Sequence, residues 1–131
     1  YAARAGRQTA WSFGDDEKLL GNYAWYEKNA GGTPHPVGMK EPNDWGLHDM
    51  HGNVWEWVAD WYGMYPATAK IDPTGPLEGE YRVLRGASFA VKAQGLRSAD
   101  RDGFGPQFRF RYVGFRCARA LRHPSSRSPN H

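Results

Sequence analysis

A chain of 131 residues, 15% of them aromatic and six of them Trp, holds one domain at most, with a core that leans on large rings. No apolar run approaches the length of a membrane span, no signal-peptide pattern is present, and the lone cysteine, Cys117, excludes an intrachain disulfide. The formal net charge of +3 conceals two opposed halves, because residues 1–81 carry 6 Lys and Arg against 12 Asp and Glu, whereas residues 82–131 carry 11 against 2.

Sixteen Gly and nine Pro predict many turns and few long helices. Tyr1-Ala2-Ala3-Arg4-Ala5-Gly6 reads as the end of a helix closed by Gly, with neither Met nor cap before it, so the chain is expected to begin inside an element of a longer protein. Residues 7–45 read as loop-rich, through Phe13-Gly14-Asp15-Asp16, Asn29-Ala30-Gly31-Gly32-Thr33-Pro34 and Glu41-Pro42-Asn43-Asp44. From Asn53 to Trp61 the period becomes that of a strand, with Trp55, Trp57, Ala59 and Trp61 on one face and Glu56 and Asp60 on the other. A Gly/Pro-rich connection follows over 63–81, with a turn signal at Asp72-Pro73-Thr74-Gly75-Pro76.

Tyr81 to Gly86 reads as a short strand, Leu96 to Arg101 as strand or short helix, and Tyr112 to Ala118 as a closing strand. Within the last of these, Cys117 is expected to be a buried small apolar side chain rather than a reactive thiol. The stripe Phe104, Phe108, Phe110, Tyr112 and Phe115 is expected as core plus rim; exposed, it would make a peptide or ligand groove. Residues 122–131 have no apolar anchor and are expected to be disordered.

The opposed charges favour internal pairing of the halves, the alternative being a basic surface for an anionic partner. Nucleic acid is not expected as that partner, since the arginines alternate with apolar residues and no nucleic-acid module signature is present. The run from Gly46 to Trp57, Gly-Leu-His-Asp-Met-His-Gly-Asn-Val-Trp-Glu-Trp, is the most informative segment. Asp49 and Glu56 bracket a glycine turn, so their oxygens can converge with the carbonyls of Gly52 and Val54, the all-oxygen set that a hard cation such as calcium takes. The alternative is that Asp49 caps a turn and Glu56 pairs with an arginine of the basic half. His48 and His51 are three apart, a spacing that binds transition metals on a helix, but Gly52 argues against helix. Asp100, Arg101 and Asp102 read as part of an arginine network tying strands together, with Arg116 and Glu56 as candidate partners.

Trp45 to Trp57, Arg82-Val-Leu-Arg-Gly-Ala-Ser-Phe89, Arg97-Ser-Ala-Asp-Arg101 and Val113-Gly-Phe-Arg-Cys-Ala118 resemble successive blocks of the sulfatase-modifying-factor family, centred on the formylglycine-generating enzyme. Tyr1 to Gly6 resembles the end of a family helix, and the resemblance runs over about residues 1–120. It implies an irregular α+β domain, related to the C-type lectin fold and poor in regular structure, of which residues 1–121 would be the C-terminal part and 122–131 a tail. It also implies a calcium site at the Asp49 side chain, the Gly52 and Val54 carbonyls and the Glu56 side chain, and a weaker second site at Asn22, the Tyr23 carbonyl and Asn29.

The chain departs from the pattern where chemistry is concerned. The resemblance implies copper held by two thiolates in the segment after the Arg-Gly-x-Ser block, a soft donor set suited to Cu(I). Here that segment, Gly86 to Leu96, has no cysteine, so copper is not expected. Ser88 keeps the position of a family active-site serine, with a strand-end hydroxyl bonded to backbone as the alternative; Arg97, Asp100 and Arg101 are candidates to line a pocket. A second branch of the family implies non-haem iron held largely by histidines of another domain, so iron would have to come with residues outside this chain. The expected partners are a peptide or small thiol-type substrate and the remaining part of the same protein. A rival reading is a ligand- or peptide-binding module of lectin-like fold with residues 90–112 as its face; a third is a scaffold domain fused to a kinase or protease. Cytoplasmic and exported settings both remain open.

Overall fold

The computed structural model describes residues 1–64 and 75–119. Most of the turn signal at Asp72-Pro73-Thr74 and the tail from 122 to 131 lie outside the described residues. The opening residues form a turn in which Arg4 N–H reaches the Tyr1 carbonyl at 3.1 Å and Arg7 N–H reaches that of Arg4 at 3.0 Å. It closes through Ala5 and Gly6 at positive φ, a left-handed exit for which glycine is suited. Asp16 then caps a short 3-10 turn, Glu17–Leu19, by accepting the Lys18 N–H at 3.0 Å, and the turn runs into helix α1, Leu20–Tyr23.

Among the described residues the regular structure is one mixed sheet of four strands in the order β3-β2-β1-β4. Strand β1 (Trp55–Trp61) pairs antiparallel with β2 (Arg82–Arg85) through Glu56↔Arg85 and Trp57↔Leu84. The register then shifts, and Trp61 meets Arg82. Strand β3 (Arg101–Phe104) lies antiparallel to the other edge of β2, and the short β4 (Val113–Gly114) runs parallel to β1 through Trp55↔Val113. The helix is one turn long and the strands are short, which makes this an irregular α+β domain.

The core sits beside the sheet and is supplied mainly by loops. Trp11, Leu20, Ala24, Tyr26, Ala87, Ala93 and Leu96 form the buried cluster, with Phe13, Trp55 and Val91 packed against it. Loops can enter a core only if their backbone polar groups find partners. Buried Asn43 shows how: its Oδ1 accepts the N–H groups of Trp45 and Leu47, each at 3.0 Å, while its Nδ2 donates to the Ala2 carbonyl at 2.8 Å.

Three expectations need correction. Leu96 to Arg101 is neither one strand nor one helix: a 3-10 turn occupies Ala93–Leu96 and β3 begins only at Arg101. The closing strand is two residues long, and beyond it Cys117 is exposed rather than buried. The aromatic stripe supplies no buried core residue; Phe108, Phe110 and Tyr112 stack as a half-exposed row at centroid spacings of 5.8 and 5.0 Å, and Phe115 is exposed.

The arginines of the basic half bind chiefly carbonyls and rings. Arg82 donates to the Ala59 carbonyl and lies 3.5 Å from the Trp61 centroid; Arg101 donates to the Gly63 carbonyl and lies 4.8 Å from Tyr62. Arg116 with Glu56 is an ion pair joining the two halves.

Candidate metal centre

The Gly46–Trp57 run is pinned at its middle. Gly52 has φ 73°, its N–H donates to the Gly86 carbonyl at 2.7 Å, and a Cβ there would overlap the Trp25 carbonyl oxygen. Asn53, also at positive φ, donates its N–H to Trp25 C=O at 2.7 Å and receives the Phe89 N–H at 2.8 Å. Its carboxamide grips the His35 backbone both ways, accepting the N–H at 2.9 Å and donating to the carbonyl at 3.0 Å. His51, 2% exposed, accepts the Ser12 N–H at Nε2 (3.1 Å) and donates from Nδ1 to Leu96 C=O (2.8 Å). That pairing needs the neutral imidazole. Burial pushes its pKa below the ordinary histidine value, with the Leu96 hydrogen bond pulling the other way.

With the middle fixed, the four oxygen-bearing residues face one space. Asp49, Gly52, Val54 and Glu56 line a cleft of about 450 Å3, closed on other sides by Gly38 and Arg116. Asp49 is 8% exposed. Its Oδ2 accepts the Gly38 N–H at 2.7 Å, and its buried Oδ1 finds no hydrogen-bond donor among the described residues. A buried carboxyl oxygen left without a donor is costly.

Glu56 is differently placed. Its two oxygens accept a fork from Arg116, Nη2 to Oε1 at 2.6 Å and Nε to Oε2 at 2.8 Å. The same guanidinium donates to the carbonyls of His48 at 2.9 Å and Asp49 at 3.1 Å. The Glu56 hydrogen bond raises the Arg116 pKa above its already high ordinary value, so the arginine is charged throughout. The pairing of Glu56 with an arginine of the basic half is thus present. Asp49 meanwhile bonds back to Gly38 from a backbone at φ 54°. Among the described residues no group of three or more His, Cys, Asp or Glu side chains is gathered for a metal, so an ion in this cleft would draw on carbonyls.

The remaining candidates are dispersed. His48 is exposed, with Nδ1 on the Lys40 carbonyl at 2.8 Å, while His51 is bound inside. Asn29 has both ends of its carboxamide engaged, accepting Tyr26 N–H and donating to Ala24 C=O, each at 2.9 Å; Asn22 is exposed and its carbonyl accepts the Glu41 N–H, and Tyr23 is half-buried with its ring stacked on Phe13. Ser88 is buried, with Oγ 3.4 Å from the Ala90 N–H. Arg97 and Asp100 make a loose pair at 3.7 Å, and Arg101 is turned to Gly63 and Tyr62. Sequence reading named Arg116 and Glu56 only as candidate partners of the Asp100 cluster and gave Asn53 no role; the Arg116 fork follows from the parallel pairing of Glu56 with Gly114, two residues before the arginine, which no local sequence signal shows.

Known proteins share this architecture. Residues 1–121 match the family described as "Sulfatase-modifying factor enzyme 1-like domain". The chain is 36% identical over 138 residues to the formylglycine-generating enzyme of Streptomyces coelicolor, covering 90% of this chain and 43% of that enzyme. It is 45% identical over 84 residues to the serine/threonine-protein kinase pkn1 of Chlamydia pneumoniae, covering 61% of this chain and 14% of the kinase. In three dimensions it is similar to Treponema denticola variable protein 1, with a TM-score of 0.83 at 39% identity over 88% of this chain and 42% of that one. The chain therefore spans less than half the length of these relatives. With nearly its whole length matched, it belongs to the family of sulfatase-modifying factor enzyme 1-like domains.

Proposed function

We propose that this chain carries the structural cation loop of its domain, within a lectin-like frame, and does not itself convert cysteine to formylglycine. In this reading calcium takes oxygens of Asp49 and Glu56 and the carbonyls of Gly52 and Val54. The observation behind it is the buried Oδ1 of Asp49, without a hydrogen-bond partner among the described residues, in a cleft that all four residues line. The Arg116 fork does not preclude the Glu56 contribution, since a carboxylate has about four lone-pair sites and the fork uses two. The site at Asn22, Tyr23 and Asn29 is left out of the proposal because the Asn29 carboxamide is already engaged.

Copper chemistry of the formylglycine type needs paired thiolates, and the chain has Cys117 alone, exposed and far along from the Gly86–Leu96 segment. A parent enzyme of the non-haem iron type would bring its iron ligands, and its peptide or thiol-type substrate site, with residues outside this chain. Two measurements test the proposal. Thermal unfolding with calcium and with chelator should differ. A Cys-x-Pro-x-Arg peptide incubated with the protein and copper should keep its mass; conversion to the aldehyde would overturn the second half of the reading.

The half-exposed row Phe108, Phe110 and Tyr112 favours a second reading, a non-catalytic ligand- or peptide-binding module presenting residues 90–112. Three adjacent rings held half in solvent offer a stacking surface. On that reading, Phe108→Ala would leave the melting temperature unchanged yet abolish retention of any peptide selected on the native protein.

A further inference from the structure

We propose that Arg116 is the built-in counter-cation of the Asp49–Glu56 loop, holding it closed when no divalent ion is bound and weakening the ion's binding by its own charge. This rests on the cation reading above and adds to it a residue that sets affinity.

One guanidinium reaches both ends of the loop at once: the His48 and Asp49 carbonyls at its start and the Glu56 carboxylate at its end. These contacts use carbonyls other than those of Gly52 and Val54, so the clasp closes the loop without covering the two carbonyls assigned to the ion. Arg116 lies in the wall of the same cleft. Asp49 and Glu56 with Arg116 leave a single surplus negative charge, whereas the two carboxylates alone would carry two. Two acids facing one cleft without a cation repel each other, and the effect is strong where Asp49 is buried. Arg116, forked onto Glu56 and beside Asp49, offsets part of that repulsion whether or not an ion is present. A divalent ion arriving later meets a partly neutralised site and an additional positive charge beside it.

Removing the arginine should therefore harm the ion-free form more than the loaded form. That inequality separates a counter-cation from a merely structural clasp, which would weaken both alike, and from a ligand-orienting group, whose loss would weaken ion binding.

The test compares the full chain with Arg116→Gln and Arg116→Lys, using thermal unfolding in calcium and in chelator, and terbium luminescence titration excited through the neighbouring tryptophans. Arg116→Gln is expected to lose more melting temperature in chelator than in calcium, and to bind terbium more tightly, by roughly tenfold after allowance for solvent screening. Arg116→Lys, keeping the charge without the fork, should bind terbium close to the wild-type affinity. Equal losses in calcium and chelator with unchanged terbium affinity would overturn the proposal while leaving the cation loop standing; weaker terbium binding by Arg116→Gln would do the same. Absence of terbium binding in the wild type and in Arg116→Gln would remove the cation loop itself, and the counter-cation with it.

Discussion

Asp49 and His51, two residues apart, place opposite demands on their surroundings. Asp49 holds a buried oxygen that finds no donor among the described residues, an arrangement that a nearby cation would relieve. Replacing it with Ala should abolish the calcium-dependent gain in melting temperature, while Asn, which keeps an oxygen but not the charge, should weaken calcium binding on the order of tenfold in an isothermal titration. His51 must stay neutral to accept the Ser12 N–H. Its pKa is lowered in the fold by burial, so the unfolded chain binds more protons as pH drops below the unfolded value of about 6.5. Stability from this residue is complete above that value and declines below it, levelling only beneath the folded pKa. Urea unfolding between pH 7 and 5 should show this decline in the wild type and a shallower one in His51→Gln, measured in the presence of chelator so that ion binding does not contribute to the slope.

At the scale of elements, the Gly46–Trp57 loop and the aromatic row differ in what holds them. Gly52 has no room for a side chain and sits at positive φ, so Gly52→Ala should cost on the order of 3 kcal/mol in denaturant unfolding, by strain and by displacement of Trp25. Phe89 is fully buried, and Phe89→Ala should cost about 3–5 kcal/mol. Phe110→Ala in the half-exposed row should cost about 1 kcal/mol, which a comparison of denaturation midpoints would show. If the two phenylalanines proved equally costly, the row would be core after all. Strand β1 was legible because its alternating Trp carry period two, and β2 because a short apolar Val83-Leu84 pair, flanked by arginines, ends at Gly86. Strand β4 was not legible at its true length. Its pairing ends at Gly114, and the arginine after the next residue turns back to the loop, a tertiary contact that propensity cannot foresee. The 3-10 turn at Ala93–Leu96 escaped for the opposite reason: Ala, Gln, Gly and Leu carry no strong local signal, and burial of Ala93 and Leu96 against Trp11 and Leu20 decides the conformation.

For the whole molecule, a low content of regular structure shifts the burden of order to polar loop residues. Asn43, Asn53 and His51 each tie segments far apart in the chain, and the core cluster draws on residues from 11 to 96. The family and the irregular α+β character were readable because the Trp-Glu-Trp and Gly-Phe-Arg blocks are specific. The same blocks singled out Asp49, Gly52, Val54 and Glu56, which line one cleft, whereas the Arg116 clasp needed coordinates, since it couples residues about 60 positions apart. A divalent ion at the cleft would add a local tie, holding the start of β1 to the segment just before it. Binding to the native state alone stabilises in proportion to the logarithm of ion concentration over its dissociation constant. Thermal unfolding of the full chain in excess calcium and again in excess chelator tests this most directly. The melting temperature should fall by about 5 °C or more when the ion is withdrawn, and by less than 1 °C or so in Asp49→Ala. Superimposable wild-type transitions in the two buffers would contradict the cation loop on which the account rests.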